Sequence, residues 1–466
     1  MATPPESKQF SLQPSAPCHL RKSAEVLYTL VQMGIKRTVK KAIPSGLFEK
    51  IEPLGHLAEA AAINAKNGFP ARGLNVIGIT GTNGKTSTSF LVHRMLHEAG
   101  YKVGLMTTVG YGVGADIKPQ IHHMTNVSVP ELMERLKMMQ KEGVEWLVLE
   151  TTSHALAQHR VWGVPYSIAV LTNLTHEHLD YHKTFERYRD AKRMLFKIAN
   201  KNKHGLQLGI INAEDPNAEL FASDIKNTVM YGVGTGDLQA SNVKLTPSGV
   251  SYKAIIGDDS YDIKCQLPGS FNISNSLAAV AVGRAVGLSK KQIEQGIAAL
   301  EGVEGRMTRI DEGQDFAVIV DFAHTPDSFE KLFKDLKPVV KGKLIVMFGS
   351  AGRRDEAKRA VQGELAGRYA DEVVVTEEDD RDIDGVSIMK QIAGGADKAG
   401  KKQGRDLFLV HDRTEAINFA IERAQKGDTV LLLGKGHEKT IERADGEHDW
   451  DEIGTAHQAL RNLKKD

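Results

Sequence analysis

The sequence predicts an α/β protein: a doubly wound, mostly parallel sheet followed by a second, Rossmann-like α/β domain, with a small N-terminal segment ahead of both. Three observations carry that expectation. Short aliphatic runs such as "NVIGI", "WLVLE", "IAVLTNL" and "LGIIN" recur from about Asn75 onward, the pattern of parallel strands buried on both faces. Helical stretches separate these runs, as crossover connections require. Near Gly305 the alternation restarts with "FAVIVDF", "KLIVMFG", "DEVVVTE" and "DTVLLLGKG".

The chain of 466 residues has room for about three domains at roughly 150 residues each. We expect a short N-terminal region over 1–70, a central phosphate-loop domain over 71–303 and a C-terminal domain over 304–466. The first of these offers helical-looking stretches such as "HLAEAAAINAKNGF" but no chemical motif. Within the second, the stretch from about 230 to 266 alternates apolar and polar residues, as in "GVSYKAII". This predicts an antiparallel excursion before the helical "NISNSLAAVAVGRAVG".

Hydrophobic residues at 41% and charged ones at 26% are those of an ordinary globular chain, which excludes the disordered and fibrous classes. A net charge of +1 gives no electrostatic reason to expect nucleic acid or an anionic membrane as partner. Cys18 and Cys265 are the only cysteines, so neither a disulfide framework nor a cysteine metal site is expected. No apolar run near the N-terminus has the length of a signal or a membrane span. A cytoplasmic monomer acting on small molecules is the expectation.

The chemistry begins in "NVIGITGTNGKTSTSF", where an apolar strand runs into Gly81, Thr82, Asn83, Gly84, Lys85, Thr86 and Ser87 and then into a helix followed by Gly100. Glycines let backbone N–H groups curl around a phosphate, and the helix N-terminus adds partial positive charge. Lys85 reaches the terminal phosphates and the Thr86 hydroxyl suits Mg²⁺. The strict G-x-x-x-x-G-K-[ST] pattern is not met, because Ile79 stands where its first glycine belongs. A glycine-rich turn with an incidental lysine is the plainer reading, but strand, loop, Lys-Thr and helix occurring in order favour ATP.

"TGTNGKT" in this form resembles the Mur ligase family, ATP-dependent enzymes that add amino acids to the peptidoglycan precursor. "LETTSHALAQHRV", "LTNLTHEHLDYHKTFERYRDAKRMLF", "LPGSFNISNSLAA", "GRMTRID…VDFAHTPDS" and "GKGHE" extend the resemblance over about 75 to 460. The similarity is greatest to the MurE type, which adds the third residue to UDP-MurNAc-L-Ala-D-Glu. The resemblance implies a nucleotide site that also takes in Asn173, Asn272, Arg306, Asp321 and His324. It implies Mg²⁺ held by Thr86, Glu150, His178 and Lys192, with Lys192 carbamylated, and it makes Lys85, His178, Lys192 and Arg306 the catalytic set. A carbamate needs a lysine whose ammonium is disfavoured by its surroundings. Position alone leaves Glu150 equally readable as a helix cap and Lys192 as a solvated helix lysine. His176, His178, Asp180 and His182 evoke a zinc hydrolase, but one inserted residue breaks that register and such an enzyme has no use for a phosphate loop.

For the acceptor, the resemblance implies Thr125, Asn126, Thr152, Ser153, Gln158 and Arg160; for the amino acid, Asp379, Arg381, Gly434 and Glu438. Two departures stand out. "TNV" replaces the family's Thr-Thr-Pro, and "EDDR" (Glu378 to Arg381) replaces the Asp-Asn-Pro-Arg whose arginine clamps the distal carboxylate of meso-diaminopimelate. Arg381 remains, which favours a substrate with a second carboxylate over lysine. The family's uridine-binding domain is not recognisable in the first 70 residues, so a shortened or replaced domain is expected there. The same ligase chemistry on another acceptor, as in folylpolyglutamate or cyanophycin synthetases, and a non-catalytic nucleotide-binding regulator are the competing readings.

Overall fold

A computed structural model describes residues 45–120, 125–246 and 248–463. Contacts divide the chain into 1–59 and 60–466. Of the first unit, residues 45–59 are described and are helical, part of the helix Ser45–Lys66, which tolerates Pro53 in its interior. The expectations for residues 1–44, Cys18 and most of the N-terminal region included, lie outside the described residues.

The second unit holds two large sheets. In the first, eleven strands run between Asn75 and Cys265, and the parallel strands Tyr166–Leu171, Asn75–Thr80 and Trp146–Glu150 form its middle. Their residues are apolar and almost entirely buried, because helices cover both faces. One face packs against Lys85–Glu98, Phe271–Val286 and Lys290–Ala298, the other against Val129–Lys141 and Phe185–Lys201. Each fully buried Val, Leu or Ile contributes about 1.5–3 kcal/mol of transfer free energy. Close approach of Lys290–Ala298 to Lys85–Glu98 depends on Gly296, where a Cβ would lie 2.6 Å from the Met95 backbone.

The expected antiparallel excursion is present. Leu238–Thr246, Gly249–Ile256 and Asp259–Cys265 form it and extend one edge of the sheet. On the other edge, the short strands Val103–Met106, Gly110–Val113 and Asp116–Pro119 had no counterpart in the sequence reading; four-residue runs around glycine carry too little periodicity.

The second sheet orders Thr308–Ile310, Ala317–Asp321, Thr429–Leu433, Leu344–Phe348, Glu372–Val375 and Leu407–Leu409. Every pairing except the first is parallel. A hairpin, Thr440–Arg443 with Gly446–Asp449, follows it. The helix Pro326–Leu336 starts on a capping box between Thr325 and Ser328 with proline in its first turn, the sequence signature of a helix start. Open α/β sheets gather ligands beyond the carboxyl ends of their strands. Here both sheets do so at once: Glu150, Thr172, Asn212, Asp321 and Gly434 all line one cavity. Among the described residues no helix is long and apolar enough to cross a membrane.

Candidate functional site

The cavity has a volume of about 1090 Å³, at the upper end for small-molecule sites. Its floor is the loop after Asn75–Thr80. Gly81 and Gly84 have φ of 152° and 81°, which L side chains rarely adopt. A Cβ at Gly84 would lie 2.3 Å from Asn275 Oδ1. Asn173 clasps the loop from the next strand: its Oδ1 accepts from Asn83 N at 2.9 Å and its Nδ2 donates to Asn83 O at 3.0 Å. No side chain caps the helix that begins at Lys85, so its first turn presents N–H groups and partial positive charge to the cavity. Lys85 Nζ folds back to donate to Thr82 O at 2.8 Å.

Glu150 meets this loop at the end of its strand. Its carboxylate accepts from Thr86 Oγ1, Thr108 Oγ1 and Thr108 N, each at 3.0 Å. From the second sheet, an Arg306 NH2 nitrogen donates to Thr86 Oγ1 at 3.3 Å, with the guanidinium 4.4 Å over the Phe322 ring. Burial lowers the Arg306 pKa, and Asp321, Glu150 and Glu438 oppose that shift. A cationic group therefore already rests against the Thr86 hydroxyl, beside Glu150. The hydroxyl and carboxylate oxygens of Thr86 and Glu150 are donors a hard divalent cation accepts, so these two fit Mg²⁺; His178 lines the same cavity.

Lys192 lies behind the loop rather than on the cavity wall. It is 2% exposed, its Nζ donates to Gly81 O at 2.7 Å and stands 4.6 Å over the Tyr188 ring. Burial, reinforced by Lys85, pulls its pKa well below the usual lysine value. The reading of a solvated helix lysine is thus excluded. The Tyr188 hydroxyl shares a hydrogen bond with Thr82 Oγ1 at 3.0 Å, a support the sequence reading did not single out.

Glu177 was also missed, although it sits between the two histidines that drew attention. Its side chain is 14% exposed; one oxygen is 3.6 Å from His178 Nε2 and the other 3.3 Å from His324 Nε2. Burial pushes its carboxyl up, but His178 and His324 outweigh that and hold it well below the usual carboxylate range. His178 itself, at φ 56°, is lowered by burial against the pull of Glu177. His324 Nδ1 donates to Phe322 O at 2.8 Å. Asp321 serves the turn that carries Arg306, accepting from Met307 N at 2.7 Å and Ala323 N at 2.8 Å; burial raises its pKa. A further link between the sheets, Asn83 Nδ2 to Asp327 Oδ2 at 2.8 Å, had its aspartate inside a quoted motif without a role.

Among the described residues the histidines do not assemble a zinc site, and the Asp180 side chain lies outside them. His182 Nε2 pairs with Ser153 Oγ at 3.0 Å and the His176 ring packs at a tilt against Phe185. Among the described residues, the three donors that do come together are Glu377, Asp380 and His411, and there Arg443 already takes both Glu377 oxygens.

Of the expected acceptor residues, Thr125 and Thr152 line the cavity. Asn126, Ser153, Gln158 and Arg160 are not among its lining residues. Asn126 supports the wall: its Oδ1 accepts from Thr152 N and Oγ1, both at 2.9 Å, and its Nδ2 donates to Glu150 O. Arg160 donates to the Asn126 carbonyl. Asn272 lines the cavity, with its Oδ1 accepting from Asn275.

At the far end Glu378, Asp379, Arg381, Gly434 and Glu438 all face the cavity. Lys435, fully buried, pairs with Asp379 at 2.8 Å and Glu438 at 2.7 Å. Burial alone would lower its pKa, but these two carboxylates raise it. Asp379, which stands where the family's motif has asparagine, thus has a buried cation beside it.

Comparison with known proteins agrees with this geometry. A family model described as the Mur ligase middle domain matches residues 79–283, and one described as the Mur ligase, glutamate ligase domain matches 305–436. The chain is 40% identical over 426 residues to a UDP-N-acetylmuramyl-tripeptide synthetase of Roseiflexus sp., covering 88% of this chain and 83% of that one. It is 37% identical to a UDP-N-acetylmuramoyl-L-alanyl-D-glutamate--2,6-diaminopimelate ligase of Geobacillus thermodenitrificans, over 89% of this chain and 84% of the relative. A solved diaminopimelate ligase of the same description superposes with a TM-score of 0.59 at 30% identity, over 84% and 79% of the two chains. Mycobacterium tuberculosis folylpolyglutamate synthase with ADP superposes at 0.68 over 94% and 99%, but at 17% identity this likeness is one of fold alone.

Proposed function

The chain belongs to the Mur ligase family, and from that premise we propose that it is an ATP-dependent ligase of the MurE type, joining an amino acid, meso-diaminopimelate, to UDP-MurNAc-L-Ala-D-Glu. The observation that carries this reading is the single cavity lined both by an uncapped helix start, Glu150 and Arg306 and by Arg381 and Glu438. A simple triphosphatase needs only the first group. Folylpolyglutamate-type acceptors share the fold, but the relatives near 40% identity are tripeptide synthetases and diaminopimelate ligases.

A carboxylate does not condense with an amine in water, because its oxygen leaves poorly. ATP supplies a phosphoryl group that turns the acceptor carboxylate into an acyl phosphate, which the amine then attacks. Thr86, Glu150 and His178 would hold Mg²⁺, which would supply positive charge to the phosphates. Gly84, Lys85 and Thr86 bind the phosphates through N–H groups and Lys85 Nζ, which swings from Thr82 O to do so. Arg306 and His324 approach from the second sheet and stabilise charge in the transferring group. Asn83, Asn173 and Asn272 hold the nucleotide side of the loop. Thr125 and Thr152 bind the acceptor, with Asn126 holding Thr152 and Arg160 holding Asn126; Ser153 and Gln158, at the two ends of the helix that Thr152 caps, complete the acceptor set. Lys192, buried and with its ammonium disfavoured, is suited to carbamylation, which would replace its positive charge with a negative one behind the loop. Asp379, Arg381, Gly434 and Glu438 hold the amino acid. The working domains are 71–303 and 304–466, and their closure excludes water from the acyl phosphate.

The test is purified protein with ATP, Mg²⁺, UDP-MurNAc-L-Ala-D-Glu and single amino acids, read by mass spectrometry. A tripeptide containing diaminopimelate is expected. Product only with a different carboxylate acceptor would overturn the assignment.

A further inference from the structure

The amino acid end of the cavity has an arginine that is already engaged. Arg381 Nε donates to Glu442 Oε2 at 2.7 Å, and NH1 donates to Gly352 O at 2.5 Å. Its backbone N donates to Glu442 O at 3.0 Å, across a turn where Arg381 itself adopts φ 57°. NH2 is left without so close a partner, 3.8 Å from Asp379 Oδ2. Glu442 comes from the hairpin Thr440–Arg443, 61 positions along the chain, and its backbone N in turn donates to Asp379 Oδ1 at 3.0 Å. Around Arg381 and Lys435 stand the carboxylates of Glu378, Asp379, Glu438 and Glu442, with Lys439 lining the same cavity and Arg353 acting on Glu442.

We propose that Glu442 is a positioning residue for amino acid specificity: it fixes the Arg381 guanidinium through Nε and partly neutralises it, leaving the NH1–NH2 edge to meet a distal carboxylate. This rests on the reading of Arg381 as part of the amino acid site. A free guanidinium grips a carboxylate as a two-pronged fork, and such charge-assisted pairs discriminate strongly. With Nε held by Glu442, only the NH1–NH2 edge can grip a carboxylate, and Gly352 O already takes a hydrogen bond from NH1; Glu378, Asp379 and Glu438, which line the same cavity, suit the distal ammonium. The second carboxylate is thus met by a guanidinium whose charge Glu442 partly neutralises.

The experiment measures kcat and KM of the full-length protein for diaminopimelate and for lysine, with acceptor and ATP saturating. Wild type is expected to prefer diaminopimelate by less than about tenfold, since a charge-assisted contact from a guanidinium without a carboxylate partner would give at least that much. Glu442→Gln keeps an oxygen for Nε but removes the charge, and should raise the preference about two- to fivefold, the range expected of one partly exposed charge. Glu442→Ala frees the guanidinium to wander and should raise KM for diaminopimelate several-fold more than KM for lysine, a loss that Glu442→Gln does not show. A wild-type preference above tenfold, or a ratio that Glu442→Gln leaves unmoved while its thermal transition is intact, overturns the proposal. If Glu442→Gln does not fold, the wild-type ratio decides alone. Wild-type protein that forms no tripeptide with either amino acid refutes the underlying ligase reading instead.

Discussion

At the Gly81–Ser87 loop the functional groups are held by backbone; at the Glu378–Arg381 turn they are held by charge. The loop is fixed by two left-handed glycines, by the paired Asn83–Asn173 hydrogen bonds and by a helix start that no side chain caps. The turn is fixed by Arg381–Glu442 and by Lys435 between Asp379 and Glu438. A backbone cradle binds what every ligase of this kind shares, a phosphate. A charge network can be retuned one residue at a time, which suits the substrate that differs among them.

The comparison breaks first if the loop is not the phosphate site. Lys85→Ala should lower kcat by about a thousandfold, as loss of a group contacting the transferring phosphate does; steady-state ADP release checks it. Arg381→Ala should act on the amino acid, raising its KM about 3- to 10-fold, less than a full charge-assisted hydrogen bond because Glu442 already pairs with the guanidinium. In the same assay KM for ATP should stay unchanged, and equal damage to both constants would erase the distinction between the two ends.

Gly84→Ala sharpens it further. The new Cβ meets Asn275 Oδ1 at φ 81°, so nucleotide affinity should fall about tenfold, as expected of a loop forced to shift, with amino acid KM unaffected. Calorimetric titration of ATP measures this. The smallest effect concerns His93 on the helix behind the loop. Burial, with help from His97, lowers its pKa to about 4, so it stays neutral in the folded chain while the unfolded chain takes up a proton near 6.5. Its contribution is complete above about pH 6.5 and is lost as pH falls toward about 4, on the order of 1 kcal/mol or more. Urea denaturation at about pH 7.5 and about pH 5 should show the loss, and His93→Phe should reduce it.

This contrast also explains what could be read from the sequence. Parallel strands, the phosphate loop and the capping box at Thr325 are local patterns, written within a few consecutive residues. Glu150, Asn173 and Arg306 could be placed because each ends a recognisable strand or motif. Glu177 was legible in principle, since a carboxylate between two histidines had been quoted, but nothing local says that His324 approaches it from the other sheet. Lys435 and Glu442 answer Asp379 and Arg381 from 56 and 61 positions away, and no periodicity encodes such a pairing. The displacement of Asn126, Ser153, Gln158 and Arg160 from the wall has the same origin: a motif fixes residue identity, whereas packing decides which side chain reaches the cavity.

The central claim is that phosphate taken from ATP at the loop is spent on an amide bond formed at the other end of the same cavity. The direct test counts ADP against tripeptide in a single reaction mixture while acceptor and amino acid are withheld in turn. The account predicts sustained ADP release only with both present, one ADP for each amide bond formed. Sustained ADP release that ignores the acceptor, or amide formation without matching ADP, would contradict it.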